Sequence, residues 1–175
     1  MIGGSQLSDE ADQWRLWLQR HGAALILFAR QWSASSADAE DSMQAGFLKF
    51  WRTRSRARDQ VAYLYTCVRG AAMDLGRSQR RRTIREANTP RTDNDSSFIP
   101  NLERAERNAA IESALRELPA DQREVVVMRI WGGLTFAQIG QALHLPLATA
   151  ASRYRYAIKR LETDLSEKEV RHDER

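Results

Sequence analysis

Residues 135–161, TFAQIGQALHLPLATAASRYRYAIKRL, decide the fold class. Thr135-Phe136-Ala137-Gln138 has the form of a capping box, in which a Thr hydroxyl caps a helix start and a Gln three positions on reaches back. Phe136, Ile139, Gly140 and Leu143 then recur at helical spacing, predicting a short helix with one apolar face. His144-Leu145-Pro146 is expected to end it, because a proline disfavours helical backbone in the residue before it. A second helix is predicted from Leu147 or Ala148, with Ala150, Tyr154, Ala157, Ile158, Leu161 and Leu165 forming its buried stripe. Its other face carries Thr149, Ala151, Ser152, Arg155, Tyr156 and Lys159, with Arg153 at the border. Small residues let a helix backbone approach a groove, and cations beyond them reach base edges or phosphates, which is what a major-groove reader needs. A helical hairpin with a solvated basic face would share some of this. The tight turn, the capping box and the Ala/Ser/Arg face together favour a helix-turn-helix.

The rest of the chain is also helical in character. Nine glycines and four prolines in 175 residues, with abundant Ala, Leu, Arg, Glu and Gln, favour helix, and no run alternates as a strand would. The expected fold class is all-α, as two small helical domains at 8–84 and 102–166 joined by a linker at 85–101. That linker is polar, with Pro90 and Pro100, and its composition predicts flexibility and lobes that move independently. In the first lobe, helices are expected from Ser8 to about Gln31, from Ser36 or Asp38 through Trp51, and from a cap at Asp59 to Arg82, with a basic loop at Arg52, Arg54, Arg56 and Arg58. Asp38, Glu40 and Asp41 are favourably placed at the positive end of the second helix.

Charge is partitioned. Lys49 to Arg91 holds twelve Lys or Arg against three acids, and Val125 to Leu161 holds five cations and no acid. Two basic zones separated by acidic intervals point to two contacts with a polyanion. Neither zone has a broad apolar face for membrane insertion. Cys67 is the only cysteine and His21, His144 and His172 are scattered, so no metal site, cofactor or nucleophilic centre is expected, and an enzyme is not. The longest apolar run, Ala23 to Ala29, is too short to span a bilayer, and the acidic start lacks a signal-peptide layout; a cytoplasmic protein is expected.

Asp38-Ala39-Glu40-Asp41, Gln44 and Phe47-Leu48-Lys49-Phe50-Trp51 resemble the polymerase-binding helix of bacterial sigma factors. Ala62 to Arg69, then Asp74-Leu75 and the Arg77–Arg82 cluster, resemble their promoter-melting helix. The second lobe agrees, with Leu118-Pro119, Arg123-Glu124-Val125, Gly133-Leu134-Thr135, Ile139-Gly140, Ala148-Thr149 and Ser152-Arg153. The chain is identified as resembling the extracytoplasmic-function sigma factors over roughly 10–90 and 108–165. That resemblance implies a protein that binds core RNA polymerase, directs it to promoters and helps melt the minus-ten region. It implies core polymerase and promoter DNA as partners, leaves room for an anti-sigma factor, and implies no small-molecule substrate and no membrane span.

The resemblance also assigns residues. Asp41, Gln44 and Phe47 become polymerase contacts, although Phe47 equally suits a core position. Tyr63, Tyr65, Arg69, Gly70, Asp74, Arg77, Arg80, Arg81 and Arg82 become the minus-ten and melting set. Aromatic residues beside cations suit stacking on unpaired bases, but Tyr63 and Tyr65 are two apart and cannot both face one way. Arg69 is left between a DNA phosphate and Asp74. Two departures stand out: Gly70 where the family usually has Asn, and Ala151 where Lys or Arg is usual. Both put promoter preference beyond reach. A stand-alone helix-turn-helix regulator, with the first lobe as an input domain, is the alternative.

Overall fold

A computed structural model describes the backbone of residues 4–85 and 113–173 and the side chains of 10–81 and 113–163. Among these residues all regular elements are helices: α1 (Gly4–Ala29), α2 (Ser36–Thr53), α3 (Gln60–Arg85), α4 (Ala120–Ile130), α5 (Phe136–Leu143) and α6 (Leu147–Asp173), with a 3-10 turn at Arg54–Arg56. A short helical stretch at 113–117 precedes α4. The expected linker at 85–101, and the helix expected from Leu102 up to residue 112, lie outside the described residues apart from Arg85, the last residue of α3.

Local chemistry explains where the helices begin. The Ser35 hydroxyl accepts from the Asp38 amide at 3.2 Å, satisfying a donor that the helix cannot, and Asp38 sits in the first turn at the positive end of α2. The Asp59 carboxylate does the same for the Ala62 amide at 2.9 Å and starts α3. The supposed basic loop is shorter than expected, since α2 runs to Thr53 and Arg54–Arg56 forms a 3-10 turn. There Arg54 lies 3.6 Å above the Trp51 ring and pairs with Glu10.

The first lobe packs α1, α2 and α3 around Leu25, Phe28, Phe47, Phe50, Leu64, Tyr65 and Val68. Trp14 meets Phe47 edge-on with centroids 4.5 Å apart, and Trp17 meets Phe50 at 4.9 Å, so the apolar face of α1 is fastened by aromatic contacts. Gly46 lets α2 approach α3 to backbone contact: a Cβ there would lie 2.4 Å from Val68 Cα. In the second lobe α4 and α5 pack on α6 through Val125, Met128, Ile139, Leu143, Ala150 and Ala157.

The two lobes are in contact. Their buried residues form one continuous cluster, with α5 seated on α3 and α4 on α1. The expectation drawn from the linker did not include this contact: linker composition says nothing about whether the surfaces it joins adhere.

Candidate nucleic-acid and polymerase interface

The helix-turn-helix is built as the sequence requires, with one difference at its turn. Thr135 accepts from the Gln138 amide at 3.2 Å and donates its own amide to Gln138 Oε1 at 3.0 Å, completing the capping box. The helix ends because His144 adopts the left-handed conformation, with φ 56°, and the Leu145 amide donates back to the Gly140 carbonyl at 2.8 Å. Pro146 opens the next helix, its carbonyl accepting from the Thr149 and Ala150 amides. Gly140 is needed there because a Cβ would meet the Leu145 carbonyl oxygen at 2.7 Å.

On α6, Ala150 and Ala157 are buried and Tyr154, Ile158 and Leu161 partly buried, as their spacing predicts; the side chain of Leu165 lies outside the described residues. Arg155, Tyr156 and Lys159 are exposed, and Arg160, not singled out from sequence, is exposed beside them. The Arg155 guanidinium lies 5.7 Å from the Tyr156 ring centroid. Thr149, Ala151 and Ser152 are half-buried near the helix start, with Ser152 donating to the Thr149 carbonyl. Arg153 is paired with Asp121 at 3.3 Å, so it braces α6 against α4 and is not a free cation on the reading face.

The α3 residues divide sharply. Tyr65 is 0% exposed, between Phe28 and the turn at Gly132, and among the described residues its hydroxyl has no hydrogen-bond partner; burial pushes that hydroxyl's pKa far upward. Tyr65 is therefore not available to stack on a base in this arrangement. Tyr63 is half-buried, its hydroxyl 3.0 Å from that of Thr53. Arg69 does not meet Asp74. It forks onto Glu124, with Nε 3.2 Å from both carboxylate oxygens and one terminal nitrogen 3.1 Å from Oε1. Asp74 instead pairs with Arg77 one turn along, in the open. Gly70 is half-buried, and no described residue lies within 4 Å of where a side chain would begin. Arg80 and Arg81 are exposed, and the side chain of Arg82 lies outside the described residues.

On α2, Asp41 and Gln44 are exposed, but Phe47 is 1% exposed and belongs to the core, which removes it from the surface offered to a partner. Leu48, 46% exposed, takes its place on the outer face with Asp41 and Gln44. Spacing could have found it: 41, 44 and 48 follow one helical face, whereas 43, 47 and 50 follow the inner one.

Cys67 and His21 are both buried. Burial raises the Cys67 thiol above its usual range, and burial together with Arg20 lowers the His21 imidazole. Among the described residues no group of three or more His, Cys, Asp and Glu is placed to hold a metal ion, and no helix is long and apolar enough to cross a membrane.

Comparison with known proteins agrees with this geometry. Sigma-70 region 2 matches residues 17–82, and sigma-70 region 4 matches residues 108–161. The chain is 29% identical over 162 residues to the ECF RNA polymerase sigma factor SigL of Mycobacterium tuberculosis, covering 90% of this chain and 92% of that one. It is 30% identical over 131 residues to the ECF RNA polymerase sigma factor SigK of Mycobacterium ulcerans, covering 70% of each. Two solved structures share the fold at 22% identity. One is the sigma factor RpoE in complex with the anti-sigma factor NepR from Bartonella quintana (TM-score 0.66, 89% of this chain and 97% of that one). The other is CnrH in complex with the cytosolic domain of CnrY (TM-score 0.64, 88% of each). Because the first lobe matches sigma region 2, the alternative of a stand-alone regulator with an input domain falls away. The chain belongs to the ECF sigma factors of RNA polymerase.

Proposed function

We propose that this sigma factor divides its work among three surfaces: the α2 face at Asp41, Gln44 and Leu48 for core polymerase, α6 for minus-thirty-five duplex, and α3 for the minus-ten region. The observation that carries this reading is the separation of its exposed cations. Arg155, Lys159 and Arg160 stand on the second helix of the helix-turn-helix, while Arg77, Arg80 and Arg81 crowd the last turns of a helix in the other lobe. A helix with small residues at its start and cations beyond fits a duplex groove. A basic helix end suits backbone phosphates beside an opening duplex, where opening carries an unstacking cost that contacts must offset. Bond-forming chemistry is left to the polymerase.

On α2 an acid, an amide and an exposed leucine give a small apolar centre with polar flanks, the composition of a protein contact. In this reading 8–84 and 102–166 are the two functional domains. An anti-sigma partner also belongs to it, since a sigma factor of this fold has been solved bound to one.

The test is direct binding to purified core polymerase. The wild-type chain should associate at or below micromolar concentration. Asp41→Ala/Gln44→Ala/Leu48→Ala should weaken that association at least tenfold with an unchanged thermal melt. Core that ignores the wild-type chain at micromolar protein overturns the α2 assignment.

A further inference from the structure

We propose that Asp38 and Gln79 are a positioning pair, which holds the basic end of α3 in fixed register with the polymerase-facing side of α2 so that Arg77, Arg80 and Arg81 can act on the opening duplex. The inference rests on the assignment of α2 to polymerase and of the α3 cations to the minus-ten region, but the contacts that carry it are independent of that reading. The Gln79 side-chain amide donates to one Asp38 carboxylate oxygen at 2.6 Å, across 41 positions of sequence. The other carboxylate oxygen accepts from the Ser35 hydroxyl at 2.8 Å, and that hydroxyl accepts in turn from the Asp38 amide. One carboxylate therefore serves the start of α2 and the end of α3 together. With an ionised acceptor, the bond to Gln79 is of the stronger, charge-assisted kind.

The basic end of α3 runs past the core. Among the described residues Ala72 is the last buried one on α3, yet the helix continues to Arg85. A helix end with few buried contacts opens readily. Two contacts seat this stretch on one side. Gly76 lies so close to the α1–α2 turn that a Cβ would stand 3.0 Å from the Trp32 carbonyl oxygen. Gln79, three positions on and on the same face, makes the bond to Asp38. Arg77, Arg80 and Arg81 lie off that face and are exposed.

The turn that receives α3 is itself braced. The Ser33 hydroxyl donates to the Ala29 carbonyl at 2.9 Å, Arg30 donates to the Ser36 hydroxyl, and Trp32 meets Phe28 edge-on with centroids 5.0 Å apart. Asp38 stands three positions before Asp41, whose side of α2 continues through Gln44 and Leu48. Moving the α3 cations relative to the α2 face must therefore break the bond to Asp38 or deform a braced turn.

Gln79→Met removes the donor while keeping net charge, approximate size and helix propensity. It should bind core polymerase as the wild type does, yet give at least fivefold less run-off transcript from a duplex promoter. A template pre-melted across the minus-ten region should shrink that deficit to less than twofold. Gln79→Glu sets two carboxylates together and should lose at least as much. Adding Asp38→Asn to it reverses donor and acceptor at wild-type net charge, and should restore at least half of the wild-type yield. A contact that only stabilised the fold would not lose activity on one template and keep it on the other. Normal duplex transcription by Gln79→Met, equal loss on both templates, or no restoration by Asp38→Asn overturns the proposal.

Amide hydrogen exchange in the free chain tests the tether without polymerase. Backbone amides of 77–81 should exchange at least fivefold faster in Gln79→Met than in the wild type, with those of 64–72 unchanged. Unchanged exchange at 77–81 overturns the proposal whatever the transcription result. Wild-type protein that shows the exchange difference but supports no transcription would instead overturn the polymerase and promoter assignments.

Discussion

Replacing Gly46 with alanine tests how closely α2 and α3 are seated. A Cβ at this position lies 2.4 Å from Val68 Cα and 2.7 Å from the Val68 nitrogen, where ordinary contact begins at 3.4 Å. Both obstacles are backbone, so no rotamer change relieves them, and α2 and α3 must separate by about 1 Å. A gap of that size forfeits roughly a quarter to a half of each affected dispersion contact. The contacts at risk surround Phe47, Phe50, Leu64 and Val68, all buried. Overpacking of this kind costs about 1–3 kcal/mol. Because both obstacles are backbone, the upper part of that range, about 2–3 kcal/mol, applies; alanine returns about 1 kcal/mol as a better helix former than glycine, leaving a net loss of about 1–2 kcal/mol. Thermal unfolding followed by circular dichroism should therefore shift down by roughly 2–8 °C. Transcription should fall even below the melting range, because the α2 face and the α3 cations no longer keep their spacing. A Gly46→Ala protein as stable as the wild type, or more stable by the helix-propensity gain, would refute the claim of backbone contact.

Other expectations follow from single contacts. Thr135→Ala removes the hydroxyl cap of α5 and should cost about 1 kcal/mol in chemical denaturation, while Thr135→Ser should recover most of it. Arg155→Ala should weaken promoter docking by about 1–3 kcal/mol if it reads a base edge, as a binding titration would show. Arg80→Ala/Arg81→Ala should impair opening more than docking, so a template pre-melted across the minus-ten region should rescue that variant and not Arg155→Ala; equal rescue would show no division of labour. Burial raises the Glu124 carboxyl above its usual range, the Arg69 contact opposing but not cancelling it. The stability this group contributes is thus fully present below the ordinary carboxylate range and lost as pH rises through the raised value. Denaturation of Glu124→Gln against wild type should show the Gln protein gaining relative stability over that interval as pH rises.

What could be read from sequence was mainly local. Thr135 with Gln138 and Asp59 with Ala62 are decided within one helical turn, and each forms its bond. The end of α5 is less legible, because Pro146 marks a helix boundary in sequence while the left-handed His144 makes the turn. Alternation between buried and exposed positions on α6 followed from spacing, and the same reasoning applied strictly on α2 would have exchanged Phe47 for Leu48. What spacing could not supply is which surfaces meet across the chain. Arg69 and Glu124 are 55 positions apart, and nothing around either residue names the other. Glu124 reads as one more acid near a helix start until the fold places it, nearly buried, against α3. Likewise Tyr65 and Tyr63 are equivalent in sequence, and only the turn at Gly132 and the Thr53 hydroxyl give them separate fates. Resemblance to a family supplies roles for such residues; it does not say which are covered in the free chain.

The most direct measurement is to map transcript 5′ ends made in vitro by core RNA polymerase on genomic DNA, with and without this chain. With the chain present, new 5′ ends should appear downstream of a shared two-part upstream sequence, one part near minus ten and one near minus thirty-five. Gln44→Ala with Asp41→Ala should reduce all of them together. A set of 5′ ends identical to that of core alone would contradict the assignment of this chain as a promoter-directing sigma factor.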